Sequence, residues 1–219
     1  ESVVLNLSHV TLNKTGTAHG TVSVSGSGLT DRLVTITGIT GDGTLSISVA
    51  AGAAAGEGGA PSPAAGPSSS VTVDNTAPGI SIGAPSPGIA GYEGATFTVS
   101  YTGADSVSLA AGNVTLHRTG TANGTVSVTG SGTASRTVHL ADLTGNGTLA
   151  ISIAAGTASD TLGHVAPAAG PSQALTVDTT RPLVALAGPD AEFTRGGPVT
   201  YQAVYSGADV ITLDASDVV

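Results

Sequence analysis

A run beginning at Thr11, TLNKTGTAHGTVSVSGSG, returns at Thr115 as TLHRTGTANGTVSVTGSG. Two further pairs keep the same spacing: VTVDNTAP at Val71 with LTVDTTRP at Leu175, and YTGAD at Tyr101 with YSGAD at Tyr205, each 104 positions apart. From Thr11–Gly52 to Thr115–Gly156, 26 of 42 positions are identical without a gap, well beyond what shared composition gives. A fixed period specifies architecture before any single motif does, so the 219 residues hold one folding unit written more than once.

The seams between units are expected at Asp74-Asn75-Thr76-Ala77-Pro78 and Asp178-Thr179-Thr180-Arg181-Pro182. A proline just after a strand cannot donate to a ladder, and it favours extended chain before it. With starts at Pro78 and Pro182, the chain divides into the later part of one module (1–77), one whole module (78–181) and the opening strands of a third (182–219). Open sandwiches leave unpaired strand edges and half a core. Such a chain is expected either to be an excised piece of a longer polypeptide or to have its ends completed by neighbouring chains.

Within one module, apolar residues alternate with Thr and Ser at period two, the pattern of strands buried on one face. Strands are expected through Ile80 and Ile82; Phe97, Val99 and Tyr101; Val107 and Leu109; Val114 and Leu116; Val126 and Val128; Val138 and Leu140; Leu149, Ile151 and Ile153; and Leu175 and Val177. That density of strands fits an all-β sandwich. Asn123-Gly124, Asn146-Gly147 and Asp42-Gly43 are expected to make tight hairpin turns. The Ala-, Gly- and Pro-rich stretches 50–70 and 154–173 are expected to be long loops before the last strand.

Composition narrows the function classes. The net charge is −9, and the six Lys and Arg are scattered, which speaks against a nucleic-acid partner because that affinity comes from clustered cations. No apolar run approaches the ~20 residues a membrane-spanning helix needs. The chain has no cysteine, so no disulfide framework is expected. No Gly-x-Ser-x-Gly elbow occurs despite abundant Gly and Ser, and the chain is read as non-enzymatic. The five histidines, His9, His19, His117, His139 and His164, lack the paired spacing of a zinc site and read as solvent-facing strand or turn residues.

The VDNTAP seam, the YTGAD strand, GTVSVTGSG and the run GTLAISIAAGTASD together resemble the bacterial immunoglobulin-like tandem repeats of large extracellular surface proteins and adhesins. The resemblance covers the whole chain. It implies tandem immunoglobulin-like sandwiches outside the cell or on its surface, forming a stalk or filament with structural or adhesive work. Many such repeats carry an Asp-x-x-Gly-Asn element. Here it reads Asp160-Thr161-Leu162-Gly163-His164 in one copy, and the other copy has no equivalent Asp.

Calcium is the one metal the residues suggest, because Asp and Asn oxygens at module junctions can coordinate it and stiffen a rod. The candidates are Asp74, Asn75, Asp178 and Asp160, although each seam offers a single carboxylate where tight sites collect several. Partners are expected among neighbouring repeats or identical chains, with a surface or glycan receptor as a further candidate. Two alternative functions follow: a filament subunit completed by its neighbours, and a glycan-binding module. The second is disfavoured by two Phe, four Tyr and no Trp.

Overall fold

The computed structural model describes residues 1–193 and 195–218. Thr194 and Val219, both inside the expected third segment, lie outside them. Nineteen strands and three 3-10 turns account for the regular structure, and no α-helix forms among the described residues. In chain order the strands are β1 (Ser2–Val3), β2 (Val10–Lys14), β3 (His19–Ser25), β4 (Leu33–Thr40), β5 (Gly43–Val49), β6 (Ala54–Ala55), β7 (Val71–Val73), β8 (Gly79–Ile82), β9 (Ile89–Ala90), β10 (Ala95–Thr102), β11 (Ser106–Val107), β12 (Val114–Arg118), β13 (Asn123–Thr129), β14 (Ser135–Thr144), β15 (Asn146–Ile153), β16 (Ala158–Ser159), β17 (Leu175–Asp178), β18 (Leu183–Leu186) and β19 (Ala203–Ser206).

Packing groups the chain into two compact units. The first holds Glu1–Gly79 with Thr102–Val107 and Ala158–Pro167. Its sheets are the three-stranded β2-β5-β7 and the two-stranded β3-β4, β1-β6 and β11-β16. Leu12 on β2, Leu45 on β5 and Val73 on β7 pack with Ala18 and with Ile36 of β4, which places one sheet over the other across a small apolar layer.

The second unit holds Ile80–Tyr101, Ser108–Thr157 and the chain from Ala168 onward. Two four-stranded sheets form it, in the orders β13-β14-β10-β8 and β12-β15-β17-β9, together with the pair β18-β19. The pairs β10–β14, β13–β14, β12–β15, β15–β17 and β18–β19 are antiparallel, and β17 runs parallel to β9. The period-two pattern decides which side chains go inside: β10 buries Ala95, Phe97, Val99 and Tyr101 while Thr98 and Thr102 face out. From the facing sheet, Leu149, Ile151, Ile153, Leu175 and Val177 are all buried, giving a sandwich-like core.

The duplication is visible in three dimensions. β1, β2, β3, β6 and β7 start at Ser2, Val10, His19, Ala54 and Val71; β11, β12, β13, β16 and β17 start 104 residues later, at Ser106, Val114, Asn123, Ala158 and Leu175. Register repeats as well: Leu12 opposes Ile47, and Leu116 opposes Ile151. All the strands expected from the pattern form, with one shortening. Leu109 lies past the end of β11, although it is buried as expected. The short strands β9 and β16 had no expectation.

The Asn-Gly and Asp-Gly turns are corrected. Asn123-Gly124 opens β13 at a bulge, where the register against β14 slips between Asn123 and Thr125. Asn146-Gly147 opens β15, and Asp42-Gly43 lies at the start of β5. β14 and β15 belong to different sheets, so Gly145 between them is a corner rather than a hairpin. The real β13–β14 hairpin turns through residues 130–134, with Gly130 and Gly132 at φ 105° and 79°.

The two long loops are also more ordered than expected. Each contains a short strand and then returns along the edge of the preceding strand. Val49 and Ala65 exchange backbone hydrogen bonds of 2.7 and 2.9 Å, as Ile153 and Ala169 do at 2.8 and 3.0 Å. β7 covers only Gly43–Leu45 of β5, and β17 only Asn146–Leu149 of β15. The returning loop therefore satisfies backbone groups that the last strand is too short to reach.

Gly145 is required both by its φ of 72° and by space, since a Cβ there would stand 2.1 Å from the Thr121 carbonyl oxygen. Gly132 has a similar φ of 79° with nothing within 4 Å. Gly132→Ala should cost only the left-handed backbone penalty, about 1–2 kcal/mol. Gly145→Ala should cost clearly more, because the β14–β15 corner must open to admit the methyl group. Chemical denaturation of the two variants measures the difference, and equal midpoints would remove the corner from this account.

Candidate functional site

The expected ligands at the first seam are held by a residue the sequence reading had assigned to a turn. The Asp42 carboxylate accepts the Asn75 N–H at 2.6 Å and the Thr76 hydroxyl at 2.6 Å. Asn75 Nδ2 donates to the Gly41 carbonyl at 2.7 Å, and Asp74 accepts the Thr76 N–H at 3.0 Å in a local Asx turn. The corner before β5 thus clasps the exit of β7. The Asn75 N–H and then the Thr76 hydroxyl hold the Asp42 carboxyl below the usual carboxylate range, against a smaller upward push from burial. The His164 imidazole adds a weaker electrostatic lowering.

The second seam repeats this clasp with its polarity rearranged. Asn146 replaces Asp42 and Thr179 replaces Asn75, each 104 residues on. Asn146 Oδ1 accepts the Thr179 N–H at 2.9 Å, and its Nδ2 donates to Thr180 Oγ1 at 2.6 Å. The Thr179 hydroxyl reaches the Gly145 carbonyl at 3.0 Å, doing the work of the Asn75 amide. A carboxylate can only accept, so Thr76 must donate; an amide can donate, so Thr180 is able to accept. Asp178 accepts the Thr180 N–H at 2.8 Å, and this bond, followed by the Thr180 hydroxyl, lowers the Asp178 carboxyl from its ordinary value. Tyr92 adds a further clamp, donating its hydroxyl to the Thr179 carbonyl at 2.8 Å beneath the Arg181 guanidinium, 5.6 Å from the ring centre.

Asp160 sits elsewhere, in the turn after β16, and is buried. Its Oδ1 accepts the N–H groups of Leu162 and His164, both at 2.9 Å, and its Oδ2 lies 2.7 Å from His164 Nδ1. Burial, the largest single influence, raises its pKa. The bonds from the His164 ring, the His164 N–H and the Leu162 N–H together outweigh it and leave the carboxyl below its ordinary range. In the first copy the same positions are Gly56 and Ala60. The backbone bond from Gly56 N–H to Ala60 at 3.1 Å matches that from Asp160 N–H to His164 at 3.1 Å. The turn is therefore built by the backbone, and the side-chain staple is an addition of the second copy.

Of the four candidates, the structure brings Asp74 and Asn75 together and places Asp178 and Asp160 in separate settings. Among the described residues, no group of three or more His, Cys, Asp or Glu side chains stands close enough to hold a metal. At each seam the carboxylates already accept hydrogen bonds from the strand exit. Asp42, Asn146 and Tyr92 are the seam residues that motif reading missed; the signal for the first two was their paired change with positions 75 and 179. His117 and His139 each hydrogen-bond a neighbouring hydroxyl, Ser152 Oγ and Thr129 Oγ1, at 2.8 Å. His19 and His117 are exposed as expected, whereas His9, His139 and His164 are half-buried and depart from the solvent-facing expectation.

Fold and seams together define an all-β, sandwich-like protein with clasped strand exits. Comparison with family models, with curated proteins and with solved structures finds no significant match.

Two outcomes test this geometry. Asp42→Asn can rebuild the arrangement seen at Asn146 and should change the thermal midpoint little, whereas Asp42→Ala removes the acceptor for two donors and should lower it; equal effects would show that the clasp carries no stability. For Asp160, the lowered carboxyl adds stability that is complete above the ordinary carboxylate range and is lost as pH falls through the lowered value. The protection factors of the Leu162 and His164 amides, exchange rates divided by their intrinsic values at each pH, should fall over that acidic interval in the wild-type chain but not in Asp160→Ala, and pH-independent protection in the wild type would remove the staple.

Proposed function

We propose that the chain is part of a non-catalytic array of immunoglobulin-like sandwiches, 1–77, 78–181 and 182–219, in a bacterial extracellular surface protein that forms a stalk or filament. The observation that carries this reading is the strand-by-strand repetition at 104 residues, joined by a clasp at the end of each copy. In such an array the function is reach and stiffness. The last strand of a copy leads directly into the next through Thr-Ala-Pro or Thr-Arg-Pro. Tying that exit to the corner of its own copy shortens the free linker, and a shorter linker bends less.

The outer surfaces suit an exposed fibre. Along β13 the outward positions are Thr125, Ser127 and Thr129, which keep the solvent face hydrated without adding charge. Sandwiches of this kind resist stretching because strands must be pulled from ladders cooperatively. Held by its two ends and extended, the chain should show a discrete length gain of about 340–370 Å for a 104-residue module, less its folded length. Smooth extension with no discrete event would overturn the array reading. Antibody labelling of intact cells, set against permeabilised ones, checks the surface location.

A further inference from the structure

Asparagine is followed by glycine at two places in the chain, Asn123-Gly124 and Asn146-Gly147. A glycine in that position leaves its backbone nitrogen open to approach, because no Cβ stands beside it. Both asparagines are exposed, so access to solvent does not separate them. Their hydrogen bonds do separate them. Asn146 Oδ1 accepts the Thr179 N–H at 2.9 Å and its Nδ2 donates to Thr180 Oγ1 at 2.6 Å, which turns the side-chain amide toward the exit of β17. Asp42, followed by Gly43, is held in the same way by Asn75 and Thr76.

The Asn123 side chain instead folds back on its own peptide unit: its Oδ1 accepts the Gly124 N–H at 2.9 Å. The ladder is interrupted there as well. Asn123 opposes Thr144 and Thr125 opposes Ala141, and the slip between them leaves Gly124 with no opposite residue on β14. A bulged residue of this kind stands outside the regular pairing. The counterpart in the first copy, His19-Gly20, sits at the same slip, between His19 and Thr21. The bulge therefore belongs to both copies, and the side-chain amide beside it only to the second.

We propose that Asn123 is a site of spontaneous covalent modification, converted by water alone to aspartyl and isoaspartyl residues while Asn146 in the same copy is protected. A base in solution removes the Gly124 N–H proton, and the nitrogen attacks Asn123 Cγ. The 2.9 Å contact with Oδ1 holds that nitrogen against the amide group it attacks, as a near attack requires. The new N–Cγ bond closes a five-membered imide; the Cγ–Nδ2 bond breaks, and Nδ2 takes up a proton from water and leaves as ammonia. A second water then opens the imide. Cleavage of the N–Cγ bond gives aspartate with the original backbone. Cleavage between the nitrogen and the Asn123 backbone carbonyl carbon gives the isoaspartyl link, whose main chain runs through Cβ and Cγ. In sum, one water is consumed and one ammonia released, with no change of oxidation state.

The two products differ in what they do to the fold. Aspartate adds one negative charge to a chain whose net charge is −9. The isoaspartyl link lengthens the main chain where there is little room: a Cβ on Gly124 would stand 2.7 Å from Leu143 Cδ2 and 3.1 Å from the Ala141 carbonyl oxygen. That product should loosen the start of β13, which ends its sheet. Protection of Asn146 lies in its rate and not in its product, since Asp42 shows that an aspartate closes the same clasp.

Cleavage after Arg118 and Arg136 puts the two asparagines on separate peptides. Folded chain incubated at mildly alkaline pH in heavy-oxygen water, then cleaved and mapped by mass, should gain label at Asn123 and release ammonia in equal amount. Asn146 should convert at least about tenfold more slowly, because its two hydrogen bonds have to open first. In denaturant the two sites should react at similar rates, which assigns the difference to the fold. Asn123→His, the residue the first copy carries, should fold and abolish the label at that position. Isoaspartyl-specific enzymatic methylation should rise with the Asn123 label, along with a fall in the unfolding midpoint. Equal rates at Asn123 and Asn146 in the folded chain would overturn the inference, and so would an Asn123 that stays intact when folded yet converts in denaturant. Either failure leaves the array reading untouched, because the discrete length gain on stretching needs no chemistry at Asn123.

Discussion

Backbone pairing along β14 governs how much of a core each copy owns. Where β10 lies against it, Phe97 and Val99 close the sheet from one side, and Val138, Leu140, Leu149, Ile151 and Ile153 are almost wholly buried. The first copy keeps the alternating pattern on β4 and β5, but among the described residues no strand pairs with β4 besides β3. Its core contracts to Leu45, Val73 and Ala18, and Ile47, the counterpart of Ile151, stays half-exposed. Core side chains stabilise only when a neighbouring strand removes water from both sides of them. Two copies that share the same alternating pattern therefore bury different amounts of apolar surface.

The strands were legible because period-two alternation survives any arrangement of the strands around it. Phe97, Val99 and Tyr101 point inward whichever sheet they join. Polar chemistry was less legible, since Asn-Gly is compatible with both a hairpin turn and a corner between sheets. What marks the corner is a close approach invisible in sequence: the Thr121 carbonyl oxygen lies 2.1 Å from where a Gly145 Cβ would stand, so only glycine fits between β14 and β15. The clasp was hidden for a related reason. Asp42 and Asn75 are 33 residues apart and meet only because β5 and β7 are neighbours in one sheet.

The two clasps show which feature of this site is constrained. Asp42 with Asn75 and Asn146 with Thr179 differ in charge, donor count and size, yet both tie the same two backbone positions together. A site selected to bind a cation would favour keeping the carboxylate, because replacing it with an amide removes charge from the ligand set. A site selected to fix a strand exit needs only complementary donors and acceptors at the right separation. The exchange between the seams satisfies that second requirement and relaxes the first.

The turn after β16 follows the same logic from the opposite direction. Gly56 and Ala60 build it in the first copy with backbone bonds alone, so the Asp160–His164 pair is not needed to form it. What the pair adds is a buried, acid-sensitive staple in one copy of an otherwise repeated element. A ladder common to every copy sets the spacing, while loops that the ladder does not constrain are free to differ. The two copies therefore differ in the side-chain chemistry of this turn without altering the 104-residue spacing of the strands around it.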